Sequence, residues 1–316
     1  MQVVRQSASF TIGICATGTS ENLIPLLRLI ASESYGEDFT LRQIIIIASE
    51  CARQTLIDVR SFVGTNKLFL LIEEKERRGK ADAINKIIAR SAGSYVVFVN
   101  ADALPLSGSI PRLLRSIARS ESVGMVSGRA LPHPNSRQAN GATSKVEELM
   151  WAIHNECSSR LNHLNVSNHG SDEMMVVRSS ALRGLLPSGV INDGAYIGGV
   201  VKSRGYRIEF CSGARVVVDV PEKIPDLLRQ RQRIIFGHFQ VWQLTGRAPK
   251  TVESMLLSLP HTSLEIVVRV LSRHPRLIKV APITFVCEAL SFVLALKDMF
   301  SPASSRKHRV WKRYAN

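Results

Sequence analysis

Residues 44–47 are four consecutive isoleucines, set inside a strand-like stretch at 43–49. Successive side chains of a strand point to opposite faces, so a run without a polar position demands burial on both. Such a strand needs helices on each side of its sheet, which is the environment of a mostly parallel α/β sheet. Residues 95–99 (Tyr-Val-Val-Phe-Val) repeat the demand. Further strand-like runs at 11–16, 67–72 and 123–127 alternate with helical patterns at about 21–30, from about 52, at 80–92 and at 110–118. Strands spaced by helices of about 10–15 residues imply right-handed βαβ units.

The pattern changes at the loop Leu131-Pro132-His133-Pro134-Asn135. A helix is expected at 146–164, then an Asn/Ser/Gly-rich turn at 165–171. Strands are expected at 174–177, 207–211 and 214–220, and a basic helix at 227–242. From Val252 the chain becomes apolar with scattered arginines, and it ends in a tail carrying Arg306, Lys307, Arg309, Lys312 and Arg313. The expected division is an α/β domain at 1–250 and a helical, membrane-associating region at 251–316. Residues 281–296 are almost continuously apolar but fall short of the roughly 20 residues a spanning helix needs. Glu288 near the middle would cost roughly 2–3 kcal/mol in a bilayer unless paired. The basic tail favours a helix lying in the interface; a buried core helix and a span are the alternatives.

The net charge is +15, which points to anionic partners: nucleotides, lipid phosphates or an anionic membrane surface. Zinc-finger spacing, RNA-recognition strands and basic heptad helices are missing, so nucleic acid is not an expected partner. Five cysteines lie far apart, odd in number and without a CxxC pair, which reads as reduced thiols. Residues 1–7 lead into the first strand without a secretory apolar region, so the expected location is the cytoplasmic side of a membrane.

The chemistry-bearing residues begin with Arg78-Gly79-Lys80-Ala81-Asp82-Ala83-Ile84-Asn85, a basic glycine-containing helix start. Asn100-Ala101-Asp102 follows at the carboxyl end of the buried strand 95–99, where open α/β sheets bind ligands. A helix N-terminus with Lys80 attracts anions and a nearby carboxylate holds a cation, which together suit a metal-bound diphosphate. Asp193, in Ile191-Asn192-Asp193-Gly194, opens a helix; it is a capping carboxylate or a general base. Arg229, Arg231 and Arg233 alternate on a basic helix with Gln230 and Gln232, either as phosphate-binding guanidinium forks or as a solvated face. The loop Ala16-Thr17-Gly18-Thr19-Ser20-Glu21-Asn22 lines a nucleotide pocket or simply starts a capped helix. His154, His163 and His169 fit no zinc spacing and read as scattered surface and loop histidines. Trp151 lines an acceptor site or is core.

In this order, these motifs resemble those of family 2 glycosyltransferases, which have the nucleotide-sugar-binding GT-A fold. The similarity rests on Ser20-Glu21, residues 77–85, Asn100-Ala101-Asp102, Asn192-Asp193 and Gln230-Arg231-Gln232-Arg233-Ile234, and covers roughly residues 8–245. The chain departs from the family pattern where Asn100 replaces the first aspartate of Asp-x-Asp, Asn192 replaces a glutamate, Ile234 replaces a tryptophan, and Ser49-Glu50 stands for the acidic group after the second strand.

The resemblance implies an inverting transferase that moves a sugar from a nucleoside-diphosphate sugar to a glycan or lipid-linked acceptor. It implies Asp102 as ligand of a divalent metal, Mg²⁺ or Mn²⁺, with Asn100 beside it, and Asp193 as the base. Arg231, Arg233 and Gln230 would stabilise the leaving diphosphate, while Ala16, Glu21, Glu50 and Lys80 would hold the nucleotide sugar. The alternative that keeps the fold is a catalytically inactive, nucleotide-sugar-binding membrane subunit.

Overall fold

The computed structural model describes residues 7–19, 21–133, 141–182, 184, 186–301 and 308. Ser20, Pro134-Asn135 and the basic side chains of the tail lie outside the described residues.

The first half of the chain alternates strand and helix: β1 (Ala8–Gly18), α1 (Leu23–Ser32), β2 (Phe39–Cys51), α2 (Arg53–Val63), β3 (Phe69–Glu74), α3 (Lys80–Arg90) and β4 (Tyr95–Asn100). It continues as β5 (Ala103–Pro105), α4 (Ser109–Ala118), β6 (Val123–Pro132), α5 (Ala142–His163), β7 (Met174–Arg178), α6 (Asp193–Ser203), β8 (Arg207–Val218) and α7 (Ile224–Thr245). Three more helices follow: α8 (Val252–Ser258), α9 (Pro260–Arg273) and α10 (Ala281–Met299). The strands form one eight-stranded sheet in the order β3-β2-β1-β4-β7-β6-β8-β5. β3, β2, β1 and β4 are mutually parallel, whereas β7 runs antiparallel to both β4 and β6.

The isoleucine run behaves as the alternation requires. Ile44 and Ile46 enter one core with Phe10, Ile12 and Ile14 of β1 and Leu26 and Leu27 of α1. Ile45 and Ile47 enter the other, with Ile84 and Ile87 of α3 and Phe98 of β4. All four isoleucines are fully buried, each contributing roughly 1.5–3 kcal/mol of transfer free energy. α1, α2 and α4 therefore cover one face of the sheet, and α3 and α6 the other.

Two strand expectations differ. The runs at 207–211 and 214–220 are a single strand, β8, whose register jumps where Gly128 pairs with Cys211 but Arg129 with Arg215. The extra residues bulge out of the ladder without ending it. β5 was not expected, because three residues are too few to show an alternation.

The C-terminal helices pack on α5 and α7: Val146, Leu149 and Leu227 share a core with Val270, Leu277, Val280 and Cys287. The apolar segment is longer than the sequence suggests. α10 has 19 residues and follows directly on a 3₁₀ turn, Pro275–Val280, giving 25 continuous helical residues. This is the one helix among the described residues long and apolar enough to cross a membrane. Its buried positions are Ala281, Thr284, Cys287, Ser291 and Ala295, a stripe of small side chains against α7. The large apolar side chains Ile283, Phe285, Val286, Leu290 and Val293 point outward and are exposed.

Candidate active site at the carboxyl ends of the parallel strands

Parallel register brings the ends of β1, β2 and β4 to one edge, where Cys15 lies beside both Ile47 and Asn100. The Ala16 side chain is buried in the core, so only its backbone can face a ligand. Glu21 is exposed in the turn after β1. Glu50 is exposed and sits in the left-handed region at φ 48°, accepting a hydrogen bond from the Arg77 N–H at 3.3 Å. Asn22 ties this edge together. Its Nδ2 donates to the Asp102 carbonyl at 3.2 Å and to Asp219 Oδ2 at 3.0 Å.

Lys80 is the first residue of α3. Gly79 before it has φ 106°, a conformation that side chains bearing a Cβ rarely adopt. This turn aims the Lys80 ammonium at two carboxylates, Asp172 at 2.8 Å and Asp193 at 3.2 Å. Asp193 does not cap α6. The cap is Asn192, whose Oδ1 accepts the Ala195 N–H at 3.0 Å. Asp193 instead turns inward and is 2% exposed, against 34% for Asp172. Close backbone approach makes the pairing possible: a Cβ on Gly194 would lie 2.7 Å from Asp172 Cβ, and one on Gly237 would lie 2.9 Å from Asn192 Cβ. Burial pushes the Asp193 carboxyl above its ordinary range although Lys80 pulls the other way. At Asp172 burial also pushes upward, but the charge and hydrogen bond of Lys80 prevail and hold it low.

β4 ends at Asn100, opposite the start of β7. The Asn100 N–H donates to the Glu173 carbonyl at 3.2 Å, and Asn100 Nδ2 donates to Glu173 Oε2 at 2.8 Å. Burial, then the charges of Asp172 and Asp102, push the Glu173 carboxyl up to about 8. Among the described residues no three His, Cys, Asp or Glu side chains converge as a ready-made metal cage. The oxygen donors of Asp102 and Asn100 fit a hard octahedral cation of the kind that takes one or two carboxylates and completes its shell with substrate phosphates.

On α7 the arginines separate. Arg231 turns to the C-terminal helices, meeting Glu288 at 2.7 Å and Glu253 at 3.0 Å. Arg233 faces the active-site side: its Nη2 donates to the Ile191 carbonyl at 3.4 Å, and its charge is felt by Asp172. Its Nε donates to the His308 carbonyl at 3.2 Å. Gln230 is half-buried. Arg229 is exposed and pairs with Asp226 at 3.2 Å.

The family model described as Glycosyltransferase like family 2 matches residues 8–237, most of the chain and every element from β1 to mid-α7. The chain belongs to this family. It is 24% identical over 200 residues to the poly-beta-1,6-N-acetyl-D-glucosamine synthase of Staphylococcus aureus, covering 62% of this chain and 48% of that protein. The Staphylococcus epidermidis synthase is likewise 24% identical, over 225 residues, covering 70% and 52%. The chain thus spans about half the length of the curated relatives it matches. A mannosyltransferase from Pyrobaculum calidifontis, solved with GDP-Man and Mn²⁺, shares the fold at a TM-score of 0.64 with 19% identity, covering 94% of this chain and 88% of that one. GalNAc-T7, solved with UDP, GalNAc and Mn²⁺, aligns at 0.50 with 10% identity over 69% and 44%. The GT-A-like α/β architecture expected from the sequence is the one observed.

Within this family 2 domain, Lys80, Asp193, Asn100 and Asp102 gather at the carboxyl edge of the sheet, with Arg233 nearby, while Arg231 is turned away. Asp172 and Glu173 were not singled out in the sequence. The available signal was the consecutive acidic pair in Gly170-Ser171-Asp172-Glu173, directly ahead of a strand. The histidines also need correction. His154 and His169 are not scattered on the surface but half-buried in a row with Trp151 and His238, at ring separations of 5.4, 6.5 and 5.9 Å. Only His163 is exposed. The chain folding of α5, α7 and the 165–171 turn onto one another, invisible to linear spacing, assembles the row.

Proposed function

We propose that the protein is an inverting glycosyltransferase that moves a sugar from a nucleoside-diphosphate sugar onto a hydroxyl of a glycan or lipid-linked acceptor. The observation that carries the proposal is the meeting of Lys80, Asp172 and Asp193 beside the Asn100–Asp102 turn. It puts an anion-binding ammonium, cation ligands and a buried carboxylate of raised proton affinity at one strand edge.

Asp102 and the Asn100 amide oxygen would hold the divalent cation, Mg²⁺ or Mn²⁺. When bound, that ion neutralises charge on the departing diphosphate. Lys80 binds the diphosphate, which competes with the two carboxylates for the ammonium and so releases Asp193. Asp193 then takes the proton of the acceptor hydroxyl as it attacks the anomeric carbon from the side opposite the diphosphate, so configuration inverts. Arg233 and Gln230 steady the leaving group. Arg231 acts at longer range through α7. Glu21, Glu50 and the Ala16 backbone border the nucleotide.

The same proposal seats residues 251–316 on the cytoplasmic surface of an anionic membrane. Small residues of α10 face the protein and large apolar ones face outward, the reverse of a helix made to complete a soluble core. With Glu288 paired internally, the outward face carries no buried charge to desolvate.

The test is turnover of a panel of UDP-, GDP- and dTDP-sugars with Mg²⁺, Mn²⁺ or chelator, with membrane extract as the acceptor source and nucleoside diphosphate as readout. Metal-dependent release from one donor, lost in Asp102→Ala, is expected. Donor binding without release under every condition would favour the inactive-subunit reading, for which Asn100 is the best argument.

A further inference from the structure

Residues 186–192 lie outside any helix or strand, yet they deliver Asp193 to Lys80. A segment of this kind owes its shape to what grips it. The Pro187 carbonyl accepts the Val190 N–H at 3.2 Å, closing a four-residue turn with Gly189 at its third position. Gly189 has φ 88°, a value that position of a turn commonly reserves for glycine. Val190 and Ile191 behind it are buried.

One face of α7 holds the end of this segment. Arg233, Gly237 and Gln240 are spaced i, i+4, i+7 and so line up along the helix. Gln240 pairs with the segment as a neighbouring strand would: its Oε1 accepts the Ile191 N–H at 2.9 Å, and its Nε2 donates to the Gly189 carbonyl at 3.0 Å. Arg233 Nη2 donates to the Ile191 carbonyl at 3.4 Å. Gly237 lets the helix come close, because a Cβ there would lie 2.9 Å from Asn192 Cβ and 3.2 Å from the Asn192 nitrogen. Both backbone groups of Ile191, two residues before Asp193, are therefore held by side chains of α7.

The two clasps are not equivalent. The Arg233 contact is the longest of the three, and its guanidinium is the group assigned to the leaving diphosphate. Gln240 is neutral, and its two-armed grip needs no ligand. We propose that Gln240 is a positioning residue for the general base: it fixes the 189–192 segment against α7, so that the Asp193 carboxylate keeps its place while Arg233 engages the diphosphate. This rests on the reading of Asp193 as the base and adds a residue outside the motifs that carry the family resemblance.

The test is a kinetic cycle on the full chain, with the donor the wild type turns over and membrane extract as the acceptor source. It compares the wild type, Gln240→Met, Asp193→Asn and the double variant, with melting curves to confirm folding. Methionine keeps the length of the side chain and removes both hydrogen bonds. Displacing a reacting group by about 1 Å can cost about 100-fold, so Gln240→Met is expected to lower kcat about 10- to 100-fold with donor KM within about threefold of wild type. Once the base is gone its position no longer matters, so Gln240→Met is expected to cost less than about threefold in the Asp193→Asn background, a strongly non-additive cycle. Gly237→Ala, which pushes on Asn192 and leaves the Gln240 amide intact, goes through the same cycle with the same expectation. Equal penalties in both backgrounds, a loss confined to KM, or an unchanged kcat would overturn the assignment of Gln240 and leave the transferase reading intact. Asp193→Asn turning over as fast as the wild type, or a wild type that turns over no donor, would overturn both this inference and the base role of Asp193.

Discussion

Glu288, the one charged residue in the middle of α10, meets Arg231 of α7 at 2.7 Å. Glu253 of α8 shares the Nη2 of the same guanidinium with Glu288, at 3.0 Å. One arginine thus fastens two C-terminal helices to the helix that also presents Arg233 to the active site. A partly buried pair broken on one side leaves an uncompensated charge. Here Glu253 remains, and the three side chains are between 17% and 32% exposed. Glu288→Gln is therefore expected to cost about 1–3 kcal/mol, below the roughly 3–5 kcal/mol of a fully orphaned buried charge. Urea unfolding reads the loss. Donor affinity should change little, because Arg231 does not reach Lys80 or Asp193; a large loss of donor binding with normal stability would instead place Arg231 on the diphosphate.

The two faces of α10 should respond oppositely to substitution. Val286 and Val293 are more than half exposed, so Val286→Glu/Val293→Glu buries no charge within the fold. Co-sedimentation with vesicles rich in anionic lipid is expected to fall sharply in this variant, with an unchanged melting temperature. Ser291 and Ala295 are fully enclosed against α7, and Ala295→Phe is expected to destabilise by about 1–3 kcal/mol through overpacking. Vesicle binding that survives the glutamates would refute the membrane-facing role of this helix.

Asp193 and Asp172 share Lys80, yet only Asp193 is sealed from solvent and raised in proton affinity. A general base contributes about 10²–10⁴-fold to turnover. Asp193→Asn is expected to lower kcat by that order with donor binding retained, since the amide still fills the space. Asp172→Asn should act mainly on donor KM by changing the charge around Lys80. The reverse split would make Asp172, the more exposed of the two, the base.

Much of this was legible in the sequence because parallel strands and their ligand edge are local patterns. Residues 44–47 declare burial on both faces, and Lys80 and Asp102 sit at predictable ends of a helix and a strand. What escaped depends on pieces that meet only in the fold. Glu173 becomes informative only once β7 is known to pair antiparallel with β4. Asp193 looked like a cap because position and residue type allow it, but Asn192 took that bond and freed Asp193 to turn toward Lys80. Glu288 looked like a cost in a bilayer until Arg231, 57 residues away, supplied its partner.

The histidine row yields a prediction about acid stability. Burial, the largest influence, depresses His154 and His238 to about 4 from an ordinary 6.5; the nearby Arg231 charge lowers both further, against an upward pull from Glu253, which is the second-largest influence at His238, and a smaller one from Asp172. Both rings are therefore neutral in the folded chain at pH 5–7, whereas the unfolded chain takes up protons below about 6.5. The unfolded state then binds more protons between roughly pH 4 and 6.5, so stability falls as pH falls through that window and is fully present above it. Each site can contribute at most about 1.4 kcal/mol per pH unit there. The melting temperature of the wild type is expected to drop by several degrees between pH 7 and pH 5. His154→Gln/His238→Gln, which keeps polar groups in the row but removes the titration, should show a visibly shallower drop over the same range. Equal slopes in the two proteins would mean that these imidazoles titrate as solvated histidines and that the row is open to water in solution.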